Sequence, residues 1–300
     1  MDISYKGKGS SPVKSVQEEL QEVTARQKRL QLFGMLPISL CILAAVLMFT
    51  PWKGLGGGVA GVALLVYFLV VRREKGAYSD AVAAANLRGG LCADLSEARY
   101  TGKECLTLRE LRELEILPVW EKSSLLIRQG FEARDRYCRY RGCETTFNYV
   151  RQENGKPKYL FLSGSLLLAD QGRTTDQRAD FLVLRRGLLE GDVQEDFPKE
   201  KGYRPLEAPD KLGEKYLIFG KGESLPDHWA NRLSQLCQDR PTVAAVRVSP
   251  AACAVFLEGR FYTNTIPASF LPTAEQLGSN PLPERDGVWQ LFKYWGAAGK

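Results

Sequence analysis

The chain has 300 residues, a formal net charge of +6 at neutral pH and a single histidine, His228. A surplus of that size does not demand an acidic partner. With one histidine, and with Cys138 and Cys143 the only close cysteine pair and no ligand-spaced partners beside it, the sequence does not point to a zinc site, and no internal repeat or low-complexity tract is present.

At the start, Val13, Val16, Leu20, Val23 and Leu30 follow a three–four spacing, with Gln27 in the slot where an apolar residue is due. Ser11 and Pro12 make a helix start, and the stretch is rich in helix-forming Glu, Gln, Lys and Arg. Residues 1–31 therefore read as a cytosolic amphipathic helix. Its stripe suits either a short coiled coil between protomers or packing on the chain's own downstream domain.

Two uncharged apolar runs follow, Leu32 to Thr50 and Leu55 to Val71, separated by Pro51, Trp52, Lys53 and Gly54. Each is close to the ~20 residues a helix needs to cross a bilayer. Arg26, Lys28 and Arg29 precede the pair, Arg72, Arg73 and Lys75 follow it, and Lys53 stands alone between the runs. Positive charge stays on the cytoplasmic side, so residues 32–71 read as a two-span hairpin with both termini cytosolic and Trp52 as an interfacial anchor. The depth of the first run, its length and the second span beside it argue against a signal peptide. The basic flanks argue against a hairpin buried in a soluble protein. Pro37 is a place for a kink, which a membrane bundle accommodates. Gly54/Gly58 and Gly57/Gly61 have the small-xxx-small spacing that lets helices approach closely. They suit contact between protomers, packing on the hairpin partner, or a flexible loop.

Residues 72–118 read as a helical connector. Ala81 to Ala85 and the leucines 106, 108, 111, 114 and 117 recur at helical spacing, Gly89, Gly90 and Gly102 interrupt them, and Pro118 ends the stretch. Beyond it the period changes. Leu125 to Ile127, Phe147 to Arg151, Tyr159 to Ala169, Phe181 to Leu184, Tyr216 to Phe219, Ala244 to Val248, Ala254 to Leu257 and Phe261 to Ile266 read as strands. Asn154-Gly155, Lys221-Gly222 and Glu258-Gly259 mark turns, the last of them a hairpin between two alternating runs. One helix interrupts the strands at Pro226 to Gln238, and another is built on Val288, Leu291, Phe292 and Trp295. The fold class is thus a membrane α-helical hairpin plus a cytosolic α+β domain, residues 119–300, with a mainly antiparallel sheet.

Cys41 lies in the first run; Cys92, Cys105, Cys138, Cys143, Cys237 and Cys253 fall in the cytosolic part, where thiols stay reduced. Cys138 and Cys143 are the only close pair in sequence. No cofactor or metal is implied, and the glycines of the chain form no phosphate-binding loop. His228 reads as a surface residue of its helix. The carboxylates Asp192/Glu195/Asp196 and Glu284/Asp286 read as solvated surface, and Asp170, Asp176 and Asp180 lack calcium-loop spacing. Arg128, Arg134, Arg136, Arg139 and Arg141 form the strongest charge concentration. They suit an edge strand with arginines on its exposed face or a surface for anionic lipid or a protein partner; nucleic acid is the least favoured partner.

The order of hairpin, connector and α+β domain resembles the bacterial family called domain of unknown function 3137. The resemblance is carried by Ser124-Leu-Leu-Ile, by the stretch from Asp135 through Gly142 to Phe147, by Tyr159-Leu-Phe-Leu-Ser-Gly164 and Phe181-Leu-Val-Leu, and by Leu206-Glu-Ala-Pro-Asp210 with Lys215-Tyr-Leu-Ile-Phe219. These are similar to the family's "S-x-L-F", "D…G…F", "F-x-G" and "L-E-D-P-x-F-x-x-x-F-x-V-Y" segments. Where the family has an acidic "Y-S-D-D", this chain has Phe219-Gly220-Lys221-Gly222-Glu223. The resemblance implies a bacterial inner (cytoplasmic) membrane location and the same fold, and it implies no activity. The functional expectation is a membrane-anchored binding, scaffold or sensor module whose partners are membrane lipids and another protein, with self-association through the glycine face. A membrane-surface enzyme of unrecognised type and an oligomeric structural subunit are the alternatives.

Overall fold

A computed structural model describes residues 16–102, 105–119, 127–170, 179–237, 240, 242–259, 273–278 and 282–297. The chain divides into two compact units: residues 1–89 with 265–279, and residues 90–264 with 280–300.

The first unit is helical. Helix α1 (Val16–Met48) carries the amphipathic stretch and the first apolar run without interruption, Pro37 included. Helix α2 (Lys53–Val66) passes through a wide π-turn at Tyr67–Val71 into α3 (Arg72–Asn86). Gly54 to Gly58 are helical, not a loop. The hairpin reverses at Thr50, whose hydroxyl donates to the Leu47 carbonyl (2.8 Å). The stripe of α1 settles against the chain itself: Val23 and Leu30 are buried with Tyr78, Val82 and Ala85 of α3 and with Leu277 of the short α8 (Ala274–Gly278). Gln27 is fully buried in that stripe, and Glu19 pairs with Arg88. The upper turns of α1 and α2 instead leave large apolar side chains uncovered, among them Leu32, Ile38, Ile42, Phe49, Leu64 and Leu69.

Among the described residues, the second unit is built on a nine-stranded sheet. Its strands are β1 (Ser96–Gly102), β2 (Arg128–Arg134), β3 (Arg139–Glu153), β4 (Lys156–Asp170), β5 (Phe181–Arg185), β6 (Arg204–Leu206), β7 (Tyr216–Gly220), β8 (Val243–Val248) and β9 (Ala252–Glu258). They lie in the order β1-β2-β3-β4-β9-β8-β5-β7-β6, every neighbouring pair antiparallel. The expectation of a mainly antiparallel sheet with helices holds. Residues 72–118 are not one helical connector: the helical run ends at Leu91, in a π-turn (Leu87–Leu91) that includes Gly89 and Gly90, β1 pairs with β2, and the leucine-rich stretch supports only α4 (Leu108–Glu113). Its leucines recur because Leu106, Leu111 and Leu117 point into the core of the sheet domain. Short alternation in Glu97-Ala-Arg-Tyr100 was too weak a signal against them.

Both faces of the sheet are covered at its centre, while the outer half of the β3–β4 hairpin stays exposed along β4, Tyr159 and Phe161 included. Cys143, Phe147, Leu166, Leu168, Leu182, Leu184 and Phe256 form one face, packed with Leu111 of α4 and Phe197 of α5 (Val193–Glu200). On the other face α7 (Asp227–Cys237) and α9 (Arg285–Ala297) lay aromatic rings on the strands. Trp229 sits 5.4 Å from Phe181, and Trp289 5.2 Å from Tyr140, centroid to centroid. Two covered faces explain why β5, β8 and β9 read as continuous apolar runs. Strands β3 and β4, fifteen residues each, meet at Asn154 and Gly155, both at positive φ as a type I′ turn requires. The strand expected at 261–266, with its half of the Glu258-Gly259 hairpin, and Leu125 lie outside the described residues.

Candidate functional site

The five arginines expected to form a surface do not act together. Arg128 and Arg134 lie on β2, and Arg136 in the turn that follows; all three are exposed. Strand β2 is not an edge, because β1 covers it. Arg139 and Arg141 leave β3 on the face that packs the core, and they close on Asp170 at the end of β4. Arg139 grips it with Nε and Nη2 at 2.7 and 2.9 Å, and Arg141 Nη2 approaches to 2.5 Å. Arg141 Nη1 donates to Glu110 (2.6 Å) and to the Cys105 carbonyl (3.2 Å), and Arg139 lies 3.6 Å from Glu132. Two guanidinium groups thus face three carboxylates, so this half of the basic stretch presents no surplus positive charge to an anionic surface.

Glu110 does two jobs in that network. Its second oxygen accepts the Thr107 amide (2.7 Å) while the Thr107 hydroxyl accepts the Glu110 amide (3.2 Å), a capping box that starts α4. Burial alone would raise its pKa. The Thr107 amide and Arg141 outweigh burial and hold the carboxyl below its ordinary value. Burial likewise works against the Arg141 charge, and Asp170 with Glu110 reverses it upward.

A second polar cluster sits where β5, β6, β7 and β8 share one rim. The register Phe181↔Gly220, Phe181↔Val248 and Arg204↔Gly220 brings Asp180, Tyr203, Lys221 and Arg247 together. Arg247, 5% exposed, pairs with Asp180 at 2.7 Å and donates to the carbonyls of Phe181 and Val248. The Tyr203 hydroxyl donates toward Glu115 (3.0 Å) and Asp180 (3.4 Å). Lys221 (4.7 Å) and Arg247 (5.1 Å) both lie over its ring. Lys221 stands 3.7 and 3.8 Å from the two carboxylates. Burial pushes the Tyr203 hydroxyl well above its usual range, so it serves as a donor and not as a base. Charges balance two against two, an arrangement that fixes loops to the rim rather than one that delivers a proton.

Cys143 finds its partner in Cys105, not in Cys138. Cys105 Sγ lies 3.1 Å from the Gly142 carbonyl and 3.4 Å from that of Phe131. The hydrogen bond with Cys143 holds the Cys105 thiol below its ordinary value against burial and pushes the Cys143 thiol up. All seven thiols are free. His228 is exposed on α7, and Asp192, Glu195 and Asp196 are exposed at the start of α5. Glu284 is a correction: it is buried and accepts from the Thr242 hydroxyl. Among the described residues no group of three or more His, Cys, Asp or Glu could hold a metal.

In the hairpin, Gly54, Gly57, Gly58 and Gly61 have no atom within 4 Å of where a side chain would begin. The glycine that meets α1 is Gly56, whose Cβ would stand 3.0 Å from the Ala44 carbonyl. At 100° per residue Gly56 and Ala63 lie opposite the four-glycine stripe, so packing on the hairpin partner does not account for that stripe.

Glu110, Tyr203 and Glu115 carry polar chemistry of the sheet domain without having stood out in the sequence, and Asp170 and Asp180, weighed there only as calcium ligands, serve as partners of buried arginines. The legible signals were Arg247 inside the otherwise apolar Val243-Ala-Ala-Val-Arg-Val248 and Asp170 closing Leu166-Leu-Leu-Ala: a charge in a buried strand requires a partner. The class these elements define is an apolar helical hairpin joined to an antiparallel α+β sheet domain. No family model, curated protein or solved structure matches the chain.

Proposed function

We propose that the chain is a membrane-anchored binding or scaffold module, held in a bacterial inner membrane by residues 32–71 with the sheet domain and both termini in the cytosol. The reading includes membership of the domain of unknown function 3137 family, by the resemblance above. One observation carries it. Two helices of 32 and 38 residues, each with a window of mean hydropathy 2.2, have only 17% and 11% of those windows buried. Apolar side chains in that number are driven out of water, and the basic residues on both outer flanks set the orientation. The internally paired clusters of the sheet domain support a binding role over catalysis.

Alkaline carbonate washing of membranes containing the full chain tests the anchor. The chain stays with the pellet; release into the supernatant overturns the reading. Lys53→Cys tests the orientation, since it labels from the outer face of intact spheroplasts and labelling only after lysis reverses the topology. Cross-linking in native membranes identifies the protein partner. The four exposed glycines favour a second reading, an oligomeric subunit. A particle in detergent that stays monomeric on concentration rejects it.

A further inference from the structure

Helices α7 and α9 run past each other on the covered face of the sheet and leave a shallow cleft of about 60 Å³ at their outer side. Arg232 and Gln235 of α7, three residues apart, present one wall with Arg240 just beyond the helix; Gly287 and Gln290 of α9, also three apart, present the other. Spacing of three puts each pair on one helix face. That room corresponds to roughly five water-sized spheres, the size of a small tetrahedral oxyanion.

The charge on this cleft is unbalanced, unlike that of the two polar clusters described above. Arg139, Arg141, Arg185, Arg247 and Arg285 each meet a carboxylate. Arg232 and Arg240 meet none among the described residues, yet both are held in place. The Arg232 guanidinium lies over the Tyr294 ring at 5.0 Å and donates to the Gln235 side-chain oxygen (3.5 Å). Arg240 donates to the Glu284 carbonyl (3.0 Å), and its guanidinium fills the space that a side chain at Gly287 would need. The Glu284 carboxylate accepts from Thr242 instead, and Asp286, beside Gly287, pairs with Arg285. Two positioned cations and two carboxamides converge, with no acid on the lining.

We propose that this cleft is a binding site for a phosphate group. Guanidinium forks match the oxygens of a phosphate and bind it with charge-assisted hydrogen bonds. Because the two arginines are fixed before the ligand arrives, little ordering entropy opposes binding. The Gln235 and Gln290 amides supply the remaining donors. The group is borne either by a soluble phosphomonoester or by a lipid headgroup, and the cleft stands on its own geometry whether or not the hairpin enters a bilayer.

The test is calorimetric titration of the full chain in a non-ionic detergent at low salt. The probes are inorganic phosphate, a short-chain phosphatidic acid, short-chain phosphatidylcholine as neutral control, and acetate. Saturable binding of phosphate is expected, weakened at least tenfold in Arg232→Gln/Arg240→Gln and weakened by added salt. Gln290→Glu, a surface change that places a carboxylate in the cleft, should abolish it and serves if the double variant does not fold. Binding of both inorganic phosphate and phosphatidic acid assigns a soluble source; binding of phosphatidic acid alone, lost in the same variants, assigns the lipid source. Acetate binding as tight as phosphate, affinity unchanged in the variants, or no saturable binding of either phosphate probe overturns the proposal.

Discussion

Replacing Asp170 by Asn tests the ionic network on β3 and β4 most directly. The substitution keeps the shape and removes the charge that Arg139 and Arg141 share. Their side chains are only 22% and 11% exposed, so water cannot replace the lost carboxylate. Removing one partner of a buried pair costs about 3–5 kcal/mol. Here Glu110 remains 2.6 Å from Arg141 and Glu132 3.6 Å from Arg139, which places the cost near the lower end, about 3 kcal/mol. At roughly 2–4 °C per kcal/mol for a domain of this size, the melting temperature of the sheet domain falls by roughly 6–12 °C. Trp229, Trp289 and Trp295, all buried in that unit, report the transition by fluorescence in detergent. Adding Arg141→Met to Asp170→Asn recovers part of the loss, because the unpaired cation is then gone. A drop below about 2 °C for Asp170→Asn, with no recovery in the double variant, refutes the claim that this network is the electrostatic anchor of α4 on the sheet.

Three further outcomes follow from the geometry. Gly56→Val crowds the Ala44 carbonyl and the Met48 side chain and destabilises the hairpin by about 1–3 kcal/mol, read as faster protease cleavage at the Trp52 reversal; Gly58→Ala meets nothing and leaves cleavage unchanged. Glu110 has a folded-state pKa held below its ordinary value, so its contribution is complete above the ordinary carboxylate value of about 4.3 and fades as pH falls through the lower folded value; Glu110→Gln flattens that acid limb of a stability–pH profile measured by fluorescence. Burial holds Cys138 and Cys237 up at about 12 and seals Cys92, Cys105, Cys143 and Cys253 from solvent. The six thiols outside the hairpin therefore resist a water-soluble maleimide at pH 8, mass spectrometry showing modification only after denaturant.

Elements defined by local pattern were legible in the sequence. The hairpin could be read because charge-free length is a one-dimensional property, and α7 because Trp229, Leu233 and Leu236 repeat at its period. The Asn154-Gly155 turn carries its own backbone requirement. What escaped was set by partners distant in the chain. Strand β1 exists because β2 lies beside it, and Glu97-Ala-Arg-Tyr100 carries little of that fact. The arginine stretch looked like a surface because charge density is visible in sequence whereas Asp170, some 30 residues away, is not visibly its neutraliser. The α7–α9 cleft was hidden for the same reason: Arg232 and Gln290 meet only after two helices have been laid side by side.

The place of β9 between β4 and β8 has a consequence for synthesis. It is the last strand of the described sheet to be made, and it alone joins the block β1–β4 to the block β5–β8. When Asp170 leaves the ribosome, the apolar edge Leu166 to Ala169 must wait for about 80 further residues, roughly 4–16 s at bacterial and eukaryotic elongation rates. During that interval the chain carries an open, apolar strand edge. Chaperone demand should therefore peak over this window, and a ribosome stalled just before Ala252 should expose the most aggregation-prone species the chain ever forms.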